Sequence, residues 1–322
     1  LGKGGFHLAS NNHQANVSIQ DMIAKQKGKK KKKRIEKSIP VILFIIASIS
    51  VLTTFGIVFT LIFETFEFFQ RVPFFDFLLG TEWLPFSNNE PLFGILPLIA
   101  GTLKVTLIAV VVAVPFGLAS AVYLSEYASD NMRRVIKPVL EVLAGVPTIV
   151  YGFFALTFVT PLLQQFIPEL KIFNALSPGI VVGIMILPMI ASLSEDAMSS
   201  VPNSIRDGAL ALGATKLEVA VKVVLPAALS GIMASIVLAV SRAIGETMIV
   251  SLAGGSTPRF DLDMTDSIQT MTAYIVQVST GDAGYGTTIY YSIYSVGFTL
   301  FLFTLLMNLL AHVISKRFRE EY

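Results

Sequence analysis

Residues 40–63 read PVILFIIASISVLTTFGIVFTLIF and contain no charged side chain. An apolar stretch of about 20 residues is long enough to cross the hydrocarbon core of a bilayer as a helix. The stretch directly follows a basic run from Lys25 to Lys37. Lysine and arginine beside a membrane helix favour the cytoplasmic side. We therefore interpret residues 1–37 as a polar and basic cytoplasmic tail and residues 40–63 as the first membrane span.

Two other interpretations of the basic run exist. Such a run can bind nucleic acid, but the net charge of +2 is too small to favour that partner. A basic run before an apolar segment can also be a signal peptide. The apolar segment here is longer than the roughly 7–15 residues of a signal peptide, and no small-residue cleavage site follows it. We predict an uncleaved span and set residues 1–20 aside as a polar leader.

The rest of the chain repeats this pattern. Of its 322 residues, 53% are hydrophobic and only 14% are charged, against about 25% charged residues in soluble proteins. The length criterion predicts an all-α membrane protein with about six transmembrane helices, and residues 38–322 form the membrane domain. The five further spans are expected at about Ile95–Leu124, Val139–Leu163, Leu176–Leu193, Leu225–Leu252 and Ile289–Ile314.

The charges between the spans predict the orientation. The segment after the first span is acidic, which is typical of an external loop. Arg133, Arg134 and Lys137 follow the second span, and Lys316, Arg317 and Arg319 follow the sixth. The positive-inside rule places both groups, and hence both chain termini, in the cytoplasm.

Several kinds of site are not expected. The chain has no cysteine, and its three histidines lie near its two ends, so we predict no metal or catalytic centre built on them. The sequence has no phosphate-binding loop of the G-x-x-x-x-G-K-[ST] type. We therefore expect no ATP hydrolysis by this chain and no cofactor bound to it, and energy must come from a partner.

The segment from about 195 to 226 is polar but patterned. Its composition predicts two short amphipathic helices joined at Gly213, with Pro226 at the entrance to the fifth span. The apolar positions of these helices can fill a groove on another protein. Alternatively, the segment only packs against its own helix ends. These apolar positions are Ala209, Leu210, Leu212, Leu217, Val221 and Val224.

Arg242 and Glu246 lie inside the fifth predicted span. Each charge within a membrane helix costs about 2.5–3.5 kcal/mol, so such residues face the protein interior or a wet path and tend to be paired. Residues four apart share one helix face. One interpretation is an ion pair that only stabilises packing. The other is that Arg242 offers its guanidinium to a tetrahedral oxyanion, while Glu246 holds Arg242 in the empty path and accepts the proton that hydrogen phosphate carries.

Two groups of residues resemble a known family. Asp207-Gly208-Ala209, Gly213 and Leu225-Pro226 resemble the EAA loop of ABC-importer permeases, although Asp207 replaces Glu and Gly208 replaces the first Ala. The resemblance implies that this loop docks into a cytoplasmic ATPase. The segments 143–152, LAGVPTIVYG, and 241–248, SRAIGETM, resemble phosphate-specific permeases of the PstC type.

This resemblance implies a type I ABC-importer permease fold in a bacterial or archaeal cell membrane. It implies a phosphate path that includes Arg242, Glu246 and Thr247. The implied partners are a PstA-like second permease, PstB-like subunits that use ATP and magnesium, and a PstS-like extracytoplasmic phosphate-binding protein. Two alternatives remain open at this stage: a permease for sulfate or molybdate, and a secondary transporter driven by an ion gradient. A third possibility is a membrane-embedded enzyme, but the predicted spans contain no cluster of His, Cys or Asp that would support it.

Overall fold

The computed structural model describes residues 19–87, 90–281 and 283–317. The chain divides into two compact units, residues 1–59 and 60–322. Short π-helical turns, at Tyr123–Tyr127, Ala155–Val159 and Ala220–Val224, extend or join some of the α-helices. The elements are α1 (Ile19–Phe69), α2 (Phe74–Leu79), β1 (Trp83–Leu84), β2 (Leu92–Phe93), α3 (Leu96–Val122), α4 (Asp130–Ala144), α5 (Thr148–Phe154), α6 (Thr160–Gln164), α7 (Leu176–Ser199), α8 (Asn203–Ala211), α9 (Lys216–Val219), α10 (Leu225–Ala227), α11 (Leu229–Ile244), α12 (Met248–Ala253), α13 (Met271–Thr280) and α14 (Thr288–Arg317).

The predicted all-α membrane fold is confirmed in the described ranges. Four helices are long and apolar enough to cross a membrane, and two bent helix pairs raise the number of spans to six if each pair counts as one. The four are Ser38–Phe69, Leu96–Tyr127, Leu176–Ser199 and Thr288–Leu310. The first belongs to a helix that already begins at Ile19, so the helix includes the basic run. The predictions for residues 1–18 concern a part of the chain outside the described residues.

The third and fifth predicted spans are present as bent helix pairs. α4 meets the Thr148–Gln164 segment at 86°, because the backbone breaks around Gly145 and Pro147. The Lys216–Ala227 segment meets α11 at 72°, and the backbone breaks again between α11 and α12. Proline cannot donate the backbone hydrogen bond that continues a helix, which accounts for the first bend.

α3 and α7 form the centre of the second unit and pack along their lengths. Small residues permit this approach, as is usual between membrane helices. A Cβ atom at Gly183 would lie 2.9 Å from the backbone oxygen of Ala109, and one at Gly179 would lie 2.7 Å from Ile108. The side chains around this contact form the largest apolar core of the unit, which also includes residues of α5, α11 and α12.

A second core holds the segment that the sequence predicts to be external. The β1–β2 hairpin pairs Trp83 with Phe93. Aromatic rings in this core meet edge to face, with Trp83 and Tyr274 at a centroid distance of 4.8 Å. Edge-to-face contact is the favourable arrangement for aromatic pairs. The hairpin is thereby attached to α13 and to the start of α14.

Candidate functional site

Two short helices, α8 and α9, form a helical knob within residues 195–226, as the sequence predicts. Gly213 separates them with φ of +88°, a backbone region that favours glycine. Thr215 then starts α9 through a capping box, in which its hydroxyl accepts from the backbone N–H of Glu218 and the Glu218 carboxylate accepts from the backbone N–H of Thr215. Local backbone chemistry therefore specifies both the turn at Gly213 and the start of α9.

The apolar side chains of the knob divide between two faces. Leu212 is 92% exposed, and Leu210, Leu217 and Val221 are also exposed. The other two positions point inward: Val224 is buried, and Ala209 is half-buried in a core that joins the knob to the spans. Leu217, Val221 and Val224, whose i, i+4 and i+7 spacing would place them on one face of a regular helix, therefore do not share one exposed face. The π-helical turn at 220–224 explains this, because it changes the helical periodicity.

The residues of the EAA-like pattern lie within this knob and at its exit. Asp207, Gly208 and Gly213 are exposed, and so is Pro226 at the entrance to α11. Leu225 is half-buried. A Cβ atom at Gly208 or Gly213 would meet nothing within 4 Å, so neither glycine is required there by close packing. The exposed side of the knob is thus available to a partner.

Arg242 and Glu246 are not on one helical face. α11 ends at Ile244, and Glu246 comes directly after its C-cap residue, Gly245. The buried Glu246 carboxylate instead accepts from the backbone N–H groups of Met248 and Ile249, at 3.0 and 3.2 Å. It satisfies the first N–H groups of α12, which have no partner within that helix. The predicted ion pair is absent because the helix breaks between the two residues.

The Arg242 side chain is exposed on the surface of the chain. Within the described residues it has neither a hydrogen bond nor an ion pair. It lies 13 residues after the start of α11, about 20 Å along the helix axis at 1.5 Å per residue. Thr247, at the break, is half-buried, and its hydroxyl donates to the backbone oxygen of Gly245. Arg242 is therefore an unpaired cation well inside an apolar segment, beside a broken helix.

Comparison with known proteins agrees with this architecture. Residues 113–320 match the family model described as "Binding-protein-dependent transport system inner membrane component". The chain belongs to this family. It is a permease subunit of an ABC importer, a multi-pass protein of the inner membrane. Membership in the family also implies an ATPase partner and a substrate-binding protein.

Two relatives illustrate the range of similarity. The permease is 36% identical over 242 residues to a protein of Bacillus subtilis (strain 168) named "Probable ABC transporter permease protein YqgH", with 75% of this chain and 78% of the relative covered. It is 33% identical over 266 residues to the "Phosphate transport system permease protein PstC" of Xylella fastidiosa (strain 9a5c), with 76% and 80% covered.

A solved structure shows the same fold. It is a bacterial alginate ABC transporter in complex with an alginate pentasaccharide-bound periplasmic protein, and one of its chains superposes with a TM-score of 0.61. The superposition covers 88% of the permease and 96% of that chain. At 15% identity, the likeness concerns the fold alone.

Several charged contacts of the permease were not foreseen from its sequence. Glu195, buried near the end of α7, contacts Arg133 and Lys137 of α4. Arg206 of the knob contacts Glu126 at the end of α3. Such pairs join residues 58 to 80 positions apart, and a single sequence gives no signal of which charges meet.

A further network joins the loop at residues 254–270 to the spans. Lys104, buried in α3, contacts Asp261, and Asp266 contacts both Lys171 and Arg259. The hydrogen bond from Lys171, with the nearby charge of Arg259, holds the pKa of Asp266 below its usual range. These carboxylates are thus engaged by cations of the chain itself. Within the described residues, no group of three His, Cys, Asp or Glu side chains is arranged to hold a metal ion.

Proposed function

We propose that this permease forms the path for inorganic phosphate in an ATP-driven importer of the PstC type. The observation that carries the proposal is the exposed and unpaired Arg242, about 20 Å along α11. A cation within an apolar span is unfavourable against lipid, so its surface must face water or another subunit. A guanidinium remains charged at any working pH and presents a fork of donors that suits phosphate oxygens.

The broken helix beside Arg242 supports the same path. Glu246 organises the start of α12, and Thr272 of α13 donates to the backbone oxygen of Glu246 at 2.7 Å. Arg242 lies just before this fixed break and Thr247 lies within it, and we assign both to the path. Glu246 acts there by holding the backbone, in place of the direct ion pair that its spacing suggested. The names of relatives such as the Xylella protein add weight to phosphate as the substrate.

The partners follow from the two surfaces. The surface around Arg242 faces a PstA-like second permease across the path. The exposed side of the helical knob, with Asp207, Gly208 and Gly213, docks a PstB-like ATPase that binds ATP and magnesium. A PstS-like protein delivers phosphate at the other end, where the 254–270 loop lies. The chain itself hydrolyses no ATP in this scheme.

The test is transport by the purified four-component complex in proteoliposomes. Radiolabelled phosphate should enter the vesicles only when the ATPase side contains ATP. Excess unlabelled phosphate should abolish the signal, and the same excess of sulfate should leave it nearly intact. Uptake without ATP would contradict the importer mechanism for this complex. Equal competition by sulfate would contradict phosphate as its preferred substrate.

The proposed orientation places the knob and both termini in the cytoplasm. Because the chain has no cysteine, single cysteines can be introduced and labelled in intact cells. A cysteine at the exposed Phe75, in α2, should react with a membrane-impermeant maleimide from outside. A cysteine at the exposed Leu212 should react only after the cells are opened. The reverse pattern would invert the topology.

A further inference from the structure

A single arginine of the helical knob holds the end of α7. Arg206, in α8, donates from Nη2 to the backbone oxygen of Met198 and from Nη1 to that of Val201, both at 2.6 Å. The last carbonyl groups of a helix have no partner within the helix. The guanidinium supplies one for Met198, in the final turn of α7, and for Val201, just beyond it.

The same guanidinium also contacts the end of α3. Its Nε and Nη2 lie 3.3 and 3.2 Å from Oε1 of Glu126, in the π-helical turn that continues α3. The two side chains are only 14% and 10% exposed. A largely buried, multiply bonded guanidinium has a fixed orientation, unlike an exposed ion pair, which contributes little. α8 is therefore attached at one point to both membrane helices.

α3 and α7 are themselves packed closely through glycines, so they can move as one body. The residues that follow Arg206, Asp207 and Gly208, are exposed on the docking side of the knob. α8, a helix of nine residues, thus presents a partner surface on one side. On the other side Arg206 contacts Met198, Val201 and Glu126, and we call this set of contacts the clamp.

We propose that Arg206, with Glu126 as its counter-charge, is the positioning residue that transmits movement of the knob to α3 and α7. This inference rests on the proposed function in one respect, namely that the knob docks an ATPase. Lysine cannot replace Arg206, because one ammonium cannot reach the carbonyl groups of Met198 and Val201 and the carboxylate of Glu126 with the same planar geometry. Breaking the clamp leaves ATP hydrolysis possible but separates it from movement of the spans.

The first test measures phosphate moved per ATP hydrolysed by the complete complex in proteoliposomes. Arg206→Lys and Glu126→Gln should each lower this ratio about fivefold or more, the lower end of ordinary coupling between sites. The ATPase should still co-purify with both variants. The matched control is Arg134→Lys, the same change at an exposed arginine of α4 that makes no ion pair within the described residues, and its ratio should equal that of wild type.

Two results of this measurement would overturn the clamp. One is a wild-type ratio in both variants. The other is loss of the ATPase from the purified complex, because Arg206 would then be a docking residue. Glu126→Gln keeps the shape of the side chain, so it provides the measurement if Arg206→Lys fails to fold.

The second test uses distances and does not involve phosphate. Spin labels on cysteines at the exposed Lys216, in α9, and Phe116, in α3, report the position of the knob relative to the span. The mean distance between the labels should be the same without nucleotide and with ATP bound to the complex. Arg206→Lys should broaden the distribution of that distance. A wild-type distance that changes with ATP would show that the knob moves independently of α3. Absence of phosphate uptake by the wild-type complex would overturn the proposed function and leave the clamp to be decided by these distances.

Discussion

The ammonium group of Lys104, a buried residue of α3, lies 2.6 Å from Oδ1 of Asp261 in the loop between α12 and α13. It also donates to the backbone oxygen of Asp263 at 2.9 Å. Lys104 is 6% exposed, whereas Asp261 is 39% exposed. The loop therefore supplies the counter-charge of the buried ammonium group, and the same contact holds the loop against α3.

This asymmetry predicts unequal effects of the two substitutions. Asp261→Asn should lower the free energy of unfolding by about 1–3 kcal/mol, because it leaves a desolvated ammonium without its counter-charge. Lys104→Met should cost less, because methionine packs well and Asp261 can be hydrated. Thermal unfolding of the purified permease compares the two. A larger loss of stability for Lys104→Met would contradict this view of the pair.

Glu246 provides a test that separates hydrogen bonding from charge. Glu246→Gln keeps an oxygen that accepts from the N–H groups of Met248 and Ile249, so stability should be close to that of wild type. Glu246→Ala removes the acceptor and should cost about 0.5–2 kcal/mol, the usual range for a lost helix cap. Thermal unfolding measures both variants.

The glutamine variant also tests whether Glu246 accepts the proton of hydrogen phosphate. If it does, Glu246→Gln should lose the preference for phosphate over sulfate in the transport competition. The position of the carboxylate, which is engaged with the backbone of α12, leads us to expect an unchanged preference. A lost preference in a stable variant would restore the proton-accepting role.

Arg242 should be essential for transport but not for folding. Arg242→Ala should lower ATP-driven phosphate uptake about ten- to a hundredfold, the equivalent of a charge-assisted hydrogen bond of about 1.5–3 kcal/mol. Arg242→Lys should retain part of the activity, because the charge remains and the fork of donors is lost. Arg134→Ala, at an exposed arginine of α4, is the control and should transport normally. Normal uptake by Arg242→Ala would remove this residue from the path.

Substitution of alanine for the two glycines of the knob should have different effects on binding of the ATPase. Gly213 has φ of +88°, where an L residue costs about 1–2 kcal/mol, so Gly213→Ala should distort the turn and weaken co-purification of the ATPase. Gly208 lies within α8 with open space around it, so Gly208→Ala should be neutral or slightly stabilising. Pull-down of the ATPase through the permease measures both. Equal binding by the two variants would show that the turn geometry does not matter for docking.

The network around Asp266 predicts an acid-sensitive loop. The hydrogen bond from Lys171 and the charge of Arg259 lower the pKa of Asp266 in the folded protein. A carboxyl group of this kind contributes stability above its unfolded pKa of about 3.9, and the contribution is lost as pH falls through the lower folded pKa. The loop should therefore stay in place from neutral pH to about pH 4 and loosen only below it.

Trp83 is the only tryptophan of the chain and reports on this loop. It lines a cavity of about 380 Å³ together with the loop residues Ser256, Pro258 and Gln269. Trp83 emission should be constant down to about pH 4 and change below that pH. Asp266→Asn should show the changed emission at neutral pH. A wild-type transition above about pH 5 would contradict the lowered pKa.

Much of the fold was predictable because hydropathy is a local property. A span such as residues 40–63 is visible from length and lack of charge alone, and so is the turn at Gly213 in a polar segment. For the same reason, hydropathy does not give the bends of the third and fifth spans. Both are apolar enough to pass the length criterion, yet they bend by 86° and 72° where proline, glycine and the packing of neighbouring helices decide the path.

The sequence by itself determined that this chain crosses a membrane, which segments do so, and which loop resembles a docking site. It also placed Arg242 and Glu246 in one apolar segment. Only the tertiary structure decided their partners: Glu246 binds the backbone of α12, Arg206 binds the ends of α3 and α7, and Lys104 reaches Asp261. The physical reason is the separation along the chain of the residues that interact. Burial of apolar surface follows from neighbours along the chain, whereas a buried charge is stabilised by whichever distant group the packed helices bring within about 3 Å of it.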